Sequence, residues 1–368
     1  MNVHSKCISR ALAEPSSALP RETSIKKTFS MKSKSPSLKN ILFALLPAFV
    51  LALVIYSSLS IWYYYTQTHP FDPFLQTYPP YLDSKYLKKP KNVFRVLTLG
   101  GSTTGNMRLP QGKRYPEQLR SFLQERYKGS GIELFNAGVD WYTTKHSLIN
   151  YVTNMRDFQP DLVVVMHAIN DLYRSFSPPD LAVEPYNRLW SHFYGPSIKG
   201  AKPPTFEQYW LTKLFSRWYP LTGNVEREIP LEAFLSLKDF EENLRRLVHF
   251  IKSDNVPIIL MTQPSLYKIN MTTDAMSMLW IGKTFCYTKK SFFRREYPSA
   301  NSLRLAMKSY NDVSRKTAQS EKVFFLDLES KIEKNLKNFV DDIHYTEEGA
   351  KKVAEVVANK IIQITGYK

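Results

Sequence analysis

The sequence predicts an α/β fold with a mostly parallel, five-stranded sheet, preceded by one apolar N-terminal helix. Five short apolar runs rich in β-branched residues alternate with helical patterns across residues 92–368. Continuous apolar strands separated by helices favour a sheet covered by helices on both faces. An uncharged stretch, residues 41–65, precedes this alternation. With 368 residues and 43% hydrophobic composition, the chain can bury one enzyme-sized core.

The N-terminal segment, residues 1–40, is basic, with eight lysines and arginines against two acids. The formal net charge of +17 raises nucleic acid as a partner. Outside this segment, however, the excess charge is spread thinly, without a dense basic run or zinc-ligand spacing. We therefore expect no nucleic-acid partner. Both Met1 and Met31 fit a start codon, and residues 1–30 receive no function.

The uncharged stretch, residues 41–65, predicts a membrane anchor. A helix of this length spans about 37 Å, more than the roughly 30 Å of bilayer hydrocarbon. An aromatic belt at Trp62–Tyr65 ends it, and the basic flank predicts a cytoplasmic N-terminus with the remaining chain outside the cytoplasm. A cleaved signal peptide and a buried core helix are the alternatives. The long apolar region without a clear cleavage site favours an uncleaved anchor.

Residues 66–91 are rich in proline and tyrosine without periodicity, which predicts a stiff linker before the domain at 92–368. In the predicted topology Cys7 and Cys286 lie on opposite sides of the membrane. We therefore expect no disulfide.

The domain alternates strands and helices. The predicted strands are Phe94–Leu99, Ile132–Phe135, Leu162–Met166, Pro257–Thr262 and Val323–Leu328. The predicted helices cover about 114–127, 145–157, 231–253, 302–319 and 347–365. In the helix at 231–253, an apolar face is predicted from Phe240, Leu244, Leu247 and Phe250, which recur at steps of three and four residues.

Two long segments, at about 173–230 and 266–300, interrupt the alternation and are rich in aromatic residues. Long insertions in compact domains commonly form lids or binding loops. The alternative is that they only pack against the core.

The first strand runs into Gly100-Gly101-Ser102. Ligands of parallel α/β folds lie beyond the C-terminal strand ends, and two glycines permit a tight turn that leaves the serine at that edge. Such a turn suits a nucleophile or a phosphate. The string lacks the lysine of a phosphate loop and the spacing of a dinucleotide fingerprint.

The next two strands also end in polar or small residues. Asn136–Val139 follows the second strand, and His167–Asp171 follows the third. The Gly138 N–H and the Asn170 amide are suitable donors to an oxyanion, although a turn glycine and a capping asparagine are the structural alternatives. His167 lies near the same edge, where a structural role is the simpler interpretation.

Near the C-terminus, Asp341 and His344 are close enough for one loop to present both. A serine hydroxyl needs a base to remove its proton, and the imidazole needs an acid on its other nitrogen. Asp342 is the rival for that acid role.

These blocks, in this order and at these strand ends, resemble those of the SGNH hydrolases, also called the GDSL esterase/lipase family. The resemblance covers about residues 92–366 and is carried by Gly100-Gly101-Ser102, Gly138, Asn170-Asp171 and Asp341-x-x-His344. It implies a flavodoxin-like three-layer α/β/α fold and acyl-ester hydrolysis or acyl transfer, without a metal or organic cofactor.

The resemblance also implies roles for individual residues. Ser102 would be the nucleophile, His344 the general base and Asp341 the acid that orients it. The Ser102 N–H, the Gly138 N–H and the Asn170 side chain would form the oxyanion hole. The family's three-residue offset favours Asp341 over Asp342.

The sequence departs from the family pattern twice. The first block has Gly101 where the family has aspartate, so the hydrogen bonds around the nucleophile must differ. The third block has Ala168 where glycine is usual, which adds a methyl group near the oxyanion hole.

The sequence thus predicts a membrane-anchored serine esterase outside the cytoplasm, acting on acyl esters, acetyl above all, of a cell-envelope saccharide. The aromatic insertions could stack on sugar faces. One alternative is a lipase, lysophospholipase or thioesterase, whose acyl chain the same aromatics could cover. Another is a non-catalytic saccharide-binding or envelope-assembly protein on the same fold.

Overall fold

The computed structural model describes residues 37–68, 86–127, 131–175, 224–279 and 295–366. It divides the chain into two compact units, Met1–Gln67 and Thr68–Lys368. The centre of the expected linker, most of the first insertion, residues 280–294 of the second, Cys7 and Cys286 lie outside the described residues.

The described part of the first unit is one helix, α1 (Leu38–Thr68), and Pro47 lies inside it. It extends three residues beyond the predicted 41–65 at each end, because residues 38–40 and 66–68 contain no helix breaker. Its segment Ile41–Trp62 is long and apolar enough to cross a membrane by length and composition. The large apolar side chains described along this segment are exposed.

The strands of the second unit form two sheets. In chain order they are β1 (Val93–Gly100), β2 (Gly131–Gly138), β3 (Leu162–Met166), β4 (Asn224–Arg227), β5 (Ile258–Met261), β6 (Arg295–Pro298) and β7 (Phe324–Leu326). The main sheet has the order β2-β1-β3-β5-β7, and all its pairs are parallel. This is the strand order of the flavodoxin-like fold, as predicted.

Helices cover the main sheet in the expected three-layer α/β/α arrangement. They are α2 (Ser102–Gly105), α3 (Tyr115–Arg126), α4 (Thr144–Thr153), α5 (Ile169–Arg174), α6 (Leu237–Ser253), α7 (Thr273–Ser277), α8 (Ala300–Glu321) and α9 (Glu347–Thr365). Helix α3 packs with α9, while α6 packs with α4 and α8. The short helices α2, α5 and α7 were not predicted from periodicity.

Helix α6 buries an apolar face, but one of its predicted members was wrong. Phe240, Leu244 and Leu247 are buried, whereas Phe250 is 38% exposed and Ile251 is buried in its place. Eleven residues complete three helical turns, so Ile251 falls directly in line with Phe240 and Phe250 falls to one side.

Strand β2 is longer than predicted, since it continues past Phe135 to Gly138. Residues 136–138 have little intrinsic β-propensity, but pairing with β1 in register, Thr98 with Asn136 and Gly100 with Gly138, holds them extended. This extension places the two strand ends side by side.

The described ends of the two predicted insertions form structure of their own. Strand β4 from the first and β6 from the second pair in a separate parallel sheet. The start of the second insertion packs into the core, where Leu266 and Tyr267 are fully buried. The packing alternative therefore holds for this part of the second insertion.

Candidate active site

The predicted nucleophile begins a four-residue helix, α2, directly after β1. Ser102 is partly exposed, while Gly101 before it is buried. A Cβ at Gly100 would lie 2.1 Å from Thr104 Oγ1, and one at Gly101 would lie 2.3 Å from Asn170 Nδ2. Both glycines are therefore required by close packing, and Gly101 in particular makes room for the asparagine amide.

Helix α2 is packed directly on the end of β2 through two glycines. A Cβ at Gly138 would lie 2.3 Å from the Gly105 N, and one at Gly105 would lie 2.5 Å from the Gly138 O. Such close backbone approach is open only to glycine. The nucleophile helix and the second predicted block are thus in contact.

The loop before α9 presents the predicted base and acid. It is closed by a bridge between Phe339 and Tyr345 and by a hydrogen bond from the Val340 N–H to the His344 carbonyl, 2.9 Å. The backbone N–H of His344 donates to Asp341 Oδ1 at 2.8 Å, which fixes the carboxylate against its own loop.

The structure brings Ser102, His344 and Asp341 together. His344 Nε2 lies 2.9 Å from Ser102 Oγ, and His344 Nδ1 lies 2.8 Å from Asp341 Oδ2. With the Nδ1 proton donated to the carboxylate, Nε2 is left to accept the serine proton. His344 and Asp341 are 5% and 3% exposed, so this hydrogen bond is shielded from water.

The pKa of Asp341 reflects this contact. Burial alone would raise the pKa of the carboxyl, but the hydrogen bonds from His344, and the charge of its imidazole when protonated, outweigh burial and hold the pKa well below its usual range. Asp341 therefore stays ionised beside the imidazole.

Asp342, the rival acid, is directed elsewhere. Its side chain accepts a hydrogen bond from the Tyr267 hydroxyl at 2.7 Å, and its carbonyl accepts one from the Leu266 N–H at 2.7 Å. It anchors the loop to the buried start of the second insertion.

The two predicted oxyanion donors beyond Ser102 differ in their surroundings. The Asn170 amide lies against Gly101, as described, and donates one hydrogen bond to the Tyr142 carbonyl at 2.9 Å. The Gly138 N–H donates to Asn136 Oδ1 at 3.1 Å. Gly138 would therefore have to share or exchange that partner to contact a substrate.

The loop between β2 and α4 supplies the carbonyl that holds Asn170. Trp141, next to Tyr142, has a φ of 66°. A bulky residue in this left-handed region is strained, and such strain is commonly found at functional sites. The strained turn brings the Tyr142 carbonyl to Asn170.

His167 and Asp171 are buried beside the site but contact other groups. His167 Nε2 pairs with Ser147 Oγ at 2.8 Å, and burial lowers the pKa of His167 to about 3. Asp171 accepts a 2.6 Å hydrogen bond from the Thr144 hydroxyl, and burial raises its pKa to about 7 despite that bond. The structural interpretation of His167 agrees with these contacts.

One residue that the sequence analysis missed is Arg108, whose Nη1 lies 2.6 Å from Asp341 Oδ2. Its side chain is 52% exposed. No local pattern marks Arg108, because its partner lies 233 positions away. The two loops that carry Ser102 and His344 are therefore joined by a second contact.

The described residues contain no group of three or more histidine, cysteine or acidic side chains placed to hold a metal ion. The chemistry at the strand ends is that of a hydroxyl, an imidazole and a carboxylate, and these groups suffice for nucleophilic attack on an ester.

Residues 98–352 match the model of the GDSL-like Lipase/Acylhydrolase family. The chain belongs to this family. The match includes all four sequence blocks, from Ser102 to His344, and this acylhydrolase is accordingly a hydrolase of ester bonds. No curated protein matches the acylhydrolase significantly.

Several solved structures are similar to this acylhydrolase. Axe2, an acetylxylan esterase from Geobacillus stearothermophilus, is 18% identical, with 75% of this chain and 95% of that chain covered and a TM-score of 0.42. The acetyl xylan esterase AlAXEase is 15% identical, with 73% and 100% covered and a TM-score of 0.43. LAE5, an α/β hydrolase from the metagenome of Lake Arreo, Spain, is 16% identical, with 76% and 98% covered and a TM-score of 0.42.

Proposed function

We propose that this acylhydrolase removes small acyl groups, acetyl above all, from a saccharide of the cell envelope, with Ser102 as nucleophile. The observation that carries this proposal is the continuous series of contacts from Ser102 Oγ to His344 Nε2, 2.9 Å, and from His344 Nδ1 to Asp341, 2.8 Å. This is the arrangement that activates a serine hydroxyl for attack on an ester carbonyl.

In the first half of the reaction, Ser102 Oγ attacks the carbonyl carbon while His344 Nε2 takes the hydroxyl proton. Asp341 stabilises the imidazolium that results. The negative charge on the carbonyl oxygen is met by the Ser102 N–H, the Gly138 N–H and the Asn170 amide. When the intermediate collapses, His344 returns its proton to the leaving sugar oxygen and the acyl group remains on Ser102.

In the second half, water attacks the acylated serine and gives one proton to His344 Nε2. The same oxyanion donors stabilise the second intermediate, and Ser102 leaves with the proton from His344 as the carboxylic acid is released. An acceptor hydroxyl in place of water would give acyl transfer by the same steps.

The proposed placement is a single-pass membrane protein with four parts. Residues 1–40 lie in the cytoplasm, 41–65 cross the membrane, 66–91 link, and 92–368 form the catalytic domain outside. The exposed apolar side chains of Ile41–Trp62 support the anchor and argue against the core-helix alternative. The basic flank supports the orientation.

The choice of a saccharide ester is supported by this placement and by the aromatic composition of the insertions at 173–230 and 266–300. Aromatic faces stack on sugar rings, but they also cover acyl chains. The proposed anchor would also hold the site near lipid, which supports the lipase alternative. The same assay tests both alternatives.

The test compares hydrolysis of p-nitrophenyl acetate and p-nitrophenyl laurate by the full chain in detergent. We expect Ser102→Ala to lower acetate turnover by at least about 10⁴-fold, since the nucleophile is lost. Ser147→Ala is the matched control, because Ser147 Oγ also lies within hydrogen-bond distance of a histidine Nε2, 2.8 Å from that of His167, but has no role in the proposed mechanism.

Acetate turnover that survives in Ser102→Ala would contradict the mechanism. A rate that rises from acetate to laurate would favour a lipid substrate. A folded wild-type chain that hydrolyses neither ester and resists a serine-reactive fluorophosphonate would favour the non-catalytic alternative.

A further inference from the structure

Gln263, just beyond β5, uses both ends of its side-chain amide to hydrogen-bond the two short helices that carry the proposed nucleophile and oxyanion donor. Its Nε2 donates to Thr103 Oγ1 at 3.0 Å. Its Oε1 accepts from the Ile169 N–H at 2.9 Å. Gln263 is 2% exposed, and both partners are equally buried, so water does not compete for either bond.

Each partner is the immediate neighbour of a proposed functional residue. Thr103 follows Ser102 in α2, and Ile169 precedes Asn170 in α5. The N–H at the start of a helix lacks an intrahelical acceptor, and Ala168, the N-cap residue of α5, makes no side-chain hydrogen bond. Gln263 therefore supplies the cap that α5 lacks, from a distant part of the chain.

Gln263 is itself fixed in place by Asn311 of α8. The Gln263 N–H donates to Asn311 Oδ1 at 2.8 Å, and Asn311 Nδ2 donates to the Gln263 carbonyl at 3.1 Å. Asn311 Nδ2 also donates to Glu329 Oε2 at 2.8 Å. Because backbone N–H groups can only donate, the network also determines which end of each amide is oxygen.

The network controls the contact between Gly101 and the Asn170 amide, which is closely packed. The Asn170 amide fills the space that a Cβ on Gly101 would occupy, 2.3 Å from its Nδ2. Movement of α2 or α5 would change this separation at once. We propose that Gln263 is a positioning residue, which sets the distance between the Ser102 nucleophile and the Asn170 donor.

This inference rests on the proposed function and makes a specific kinetic prediction. An oxyanion donor acts on charge that develops only in the transition state. The oxyanion forms in both acylation and deacylation, so a displaced donor slows both steps. We therefore expect kcat to fall while KM stays nearly constant.

The experiment measures p-nitrophenyl acetate hydrolysis and thermal unfolding of the full chain in detergent. Gln263→Met, which keeps length but removes both hydrogen bonds, is expected to lower kcat about 100-fold with KM within about twofold. Thr103→Val removes only one bond and is expected to lower kcat about 10-fold. If Gln263→Met does not fold, Thr103→Val alone tests the inference.

The matched control is Thr98→Val, which removes another fully buried threonine hydroxyl, bonded to the Phe135 carbonyl at 3.3 Å. It is expected to lower the unfolding midpoint without lowering kcat. In the double variant Gln263→Met/Thr103→Val, the kcat loss should equal that of Gln263→Met alone, because both changes remove the same bond.

Loss of thermal stability in Gln263→Met or Thr103→Val with unchanged kcat would overturn the inference and leave only a structural role. Multiplied losses in the double variant would also overturn it. If wild type is inactive or Ser102→Ala is active, the proposed function fails, and this inference fails with it. Loss of activity in Ser102→Ala with unchanged kcat in Gln263→Met overturns the inference alone.

Discussion

Two buried titratable side chains, His167 and Asp171, lie on either side of Asn170 in the sequence, and their pKa values are shifted in opposite directions. Burial raises the pKa of Asp171 to about 7, from an ordinary value of 3.8. Burial lowers the pKa of His167 to about 3, from 6.5. In both cases burial favours the neutral form.

The two shifts have opposite effects on stability between about pH 4 and pH 6.5. Folded Asp171 keeps a proton that the unfolded chain has lost, so its contribution falls as pH rises toward 7. Folded His167 lacks a proton that the unfolded chain binds, so its contribution is lost as pH falls from 6.5 toward 3. The two slopes largely cancel in the wild type.

Single substitutions should uncover each slope. Relative to wild type, the unfolding free energy of Asp171→Asn should rise with pH by about 1.4 kcal/mol per unit in this window. That of His167→Gln should fall with pH by a similar amount. Urea unfolding at pH 4.5, 5.5 and 6.5 measures both slopes, and three parallel curves would contradict the assignment.

Arg108 shows what a single residue adds to the site. Its guanidinium shares the Asp341 carboxylate with His344, at 2.6 Å and 2.8 Å. Charge-assisted contacts of this kind are directional. Arg108 thereby fixes the orientation of the carboxylate from the loop that follows helix α2.

At the scale of elements, helix α9 sets the position of the loop that holds His344. A Cβ at Gly349 would lie 2.1 Å from the Asn338 carbonyl oxygen, which also accepts a 3.0 Å hydrogen bond from the Thr346 N–H. Thr346 caps the helix by accepting from the Gly349 N–H at 3.0 Å. The first turn of α9 and the base of the loop therefore form one packed unit.

Gly349→Ala should push Asn338 outward and displace Asp341 and His344 with it. We expect kcat/KM for p-nitrophenyl acetate to fall about 10- to 100-fold, since displacements near 1 Å cost about that much. Ala354→Gly weakens the same helix by about 1 kcal/mol without touching the loop, and should leave kcat/KM within about twofold. Equal activity of the two variants per folded molecule would contradict the prediction.

The elements that the sequence predicted are those whose own pattern carries the information. Leu162–Met166 is uniformly apolar and was predicted with its observed bounds. The short helices α2 and α5 have no such pattern. Contacts with distant residues such as Gln263 hold them instead. The pairing of β4 with β6 was also beyond prediction, since neither strand carries a continuous apolar run and each is held by its partner.

The same contrast applies to the site. Ser102, Asn170, Asp341 and His344 lie at strand ends or in one short loop, where position follows from the fold. Arg108 and Gln263 act through contacts separated by 233 and 160 positions, so neither carries a local signal. From the sequence, Asp341 is preferred to Asp342 for the acid role only because of the family's three-residue offset. In the structure the two are distinguished by their partners, His344 and Tyr267.

At the scale of the whole molecule, the proposed topology can be tested with the two native cysteines and one exposed position. Leu235 is 61% exposed in the second unit. In a chain lacking Cys7 and Cys286, Leu235→Cys should react with a membrane-impermeant maleimide on intact cells. In the Cys286→Ser variant, Cys7 should react only after permeabilisation, because the basic flank keeps it in the cytoplasm.

Both chains should also remain in the membrane pellet after an alkaline carbonate wash. Reversed labelling would contradict the orientation. For the Cys286→Ser variant, a product in the supernatant that has lost Cys7 would instead indicate a cleaved signal peptide.

The proposed nucleophile, Ser102, and its proposed base, His344, lie 242 positions apart. Since ribosomes build the chain from the N-terminus, Ser102 is made well before His344 and waits through most of the domain's synthesis without a base. A product that stops short of residue 341 carries the serine but neither the imidazole nor the carboxylate. The proposed triad is thus complete only once the chain has been made as far as His344, and chains terminated before that residue should lack ester cleavage.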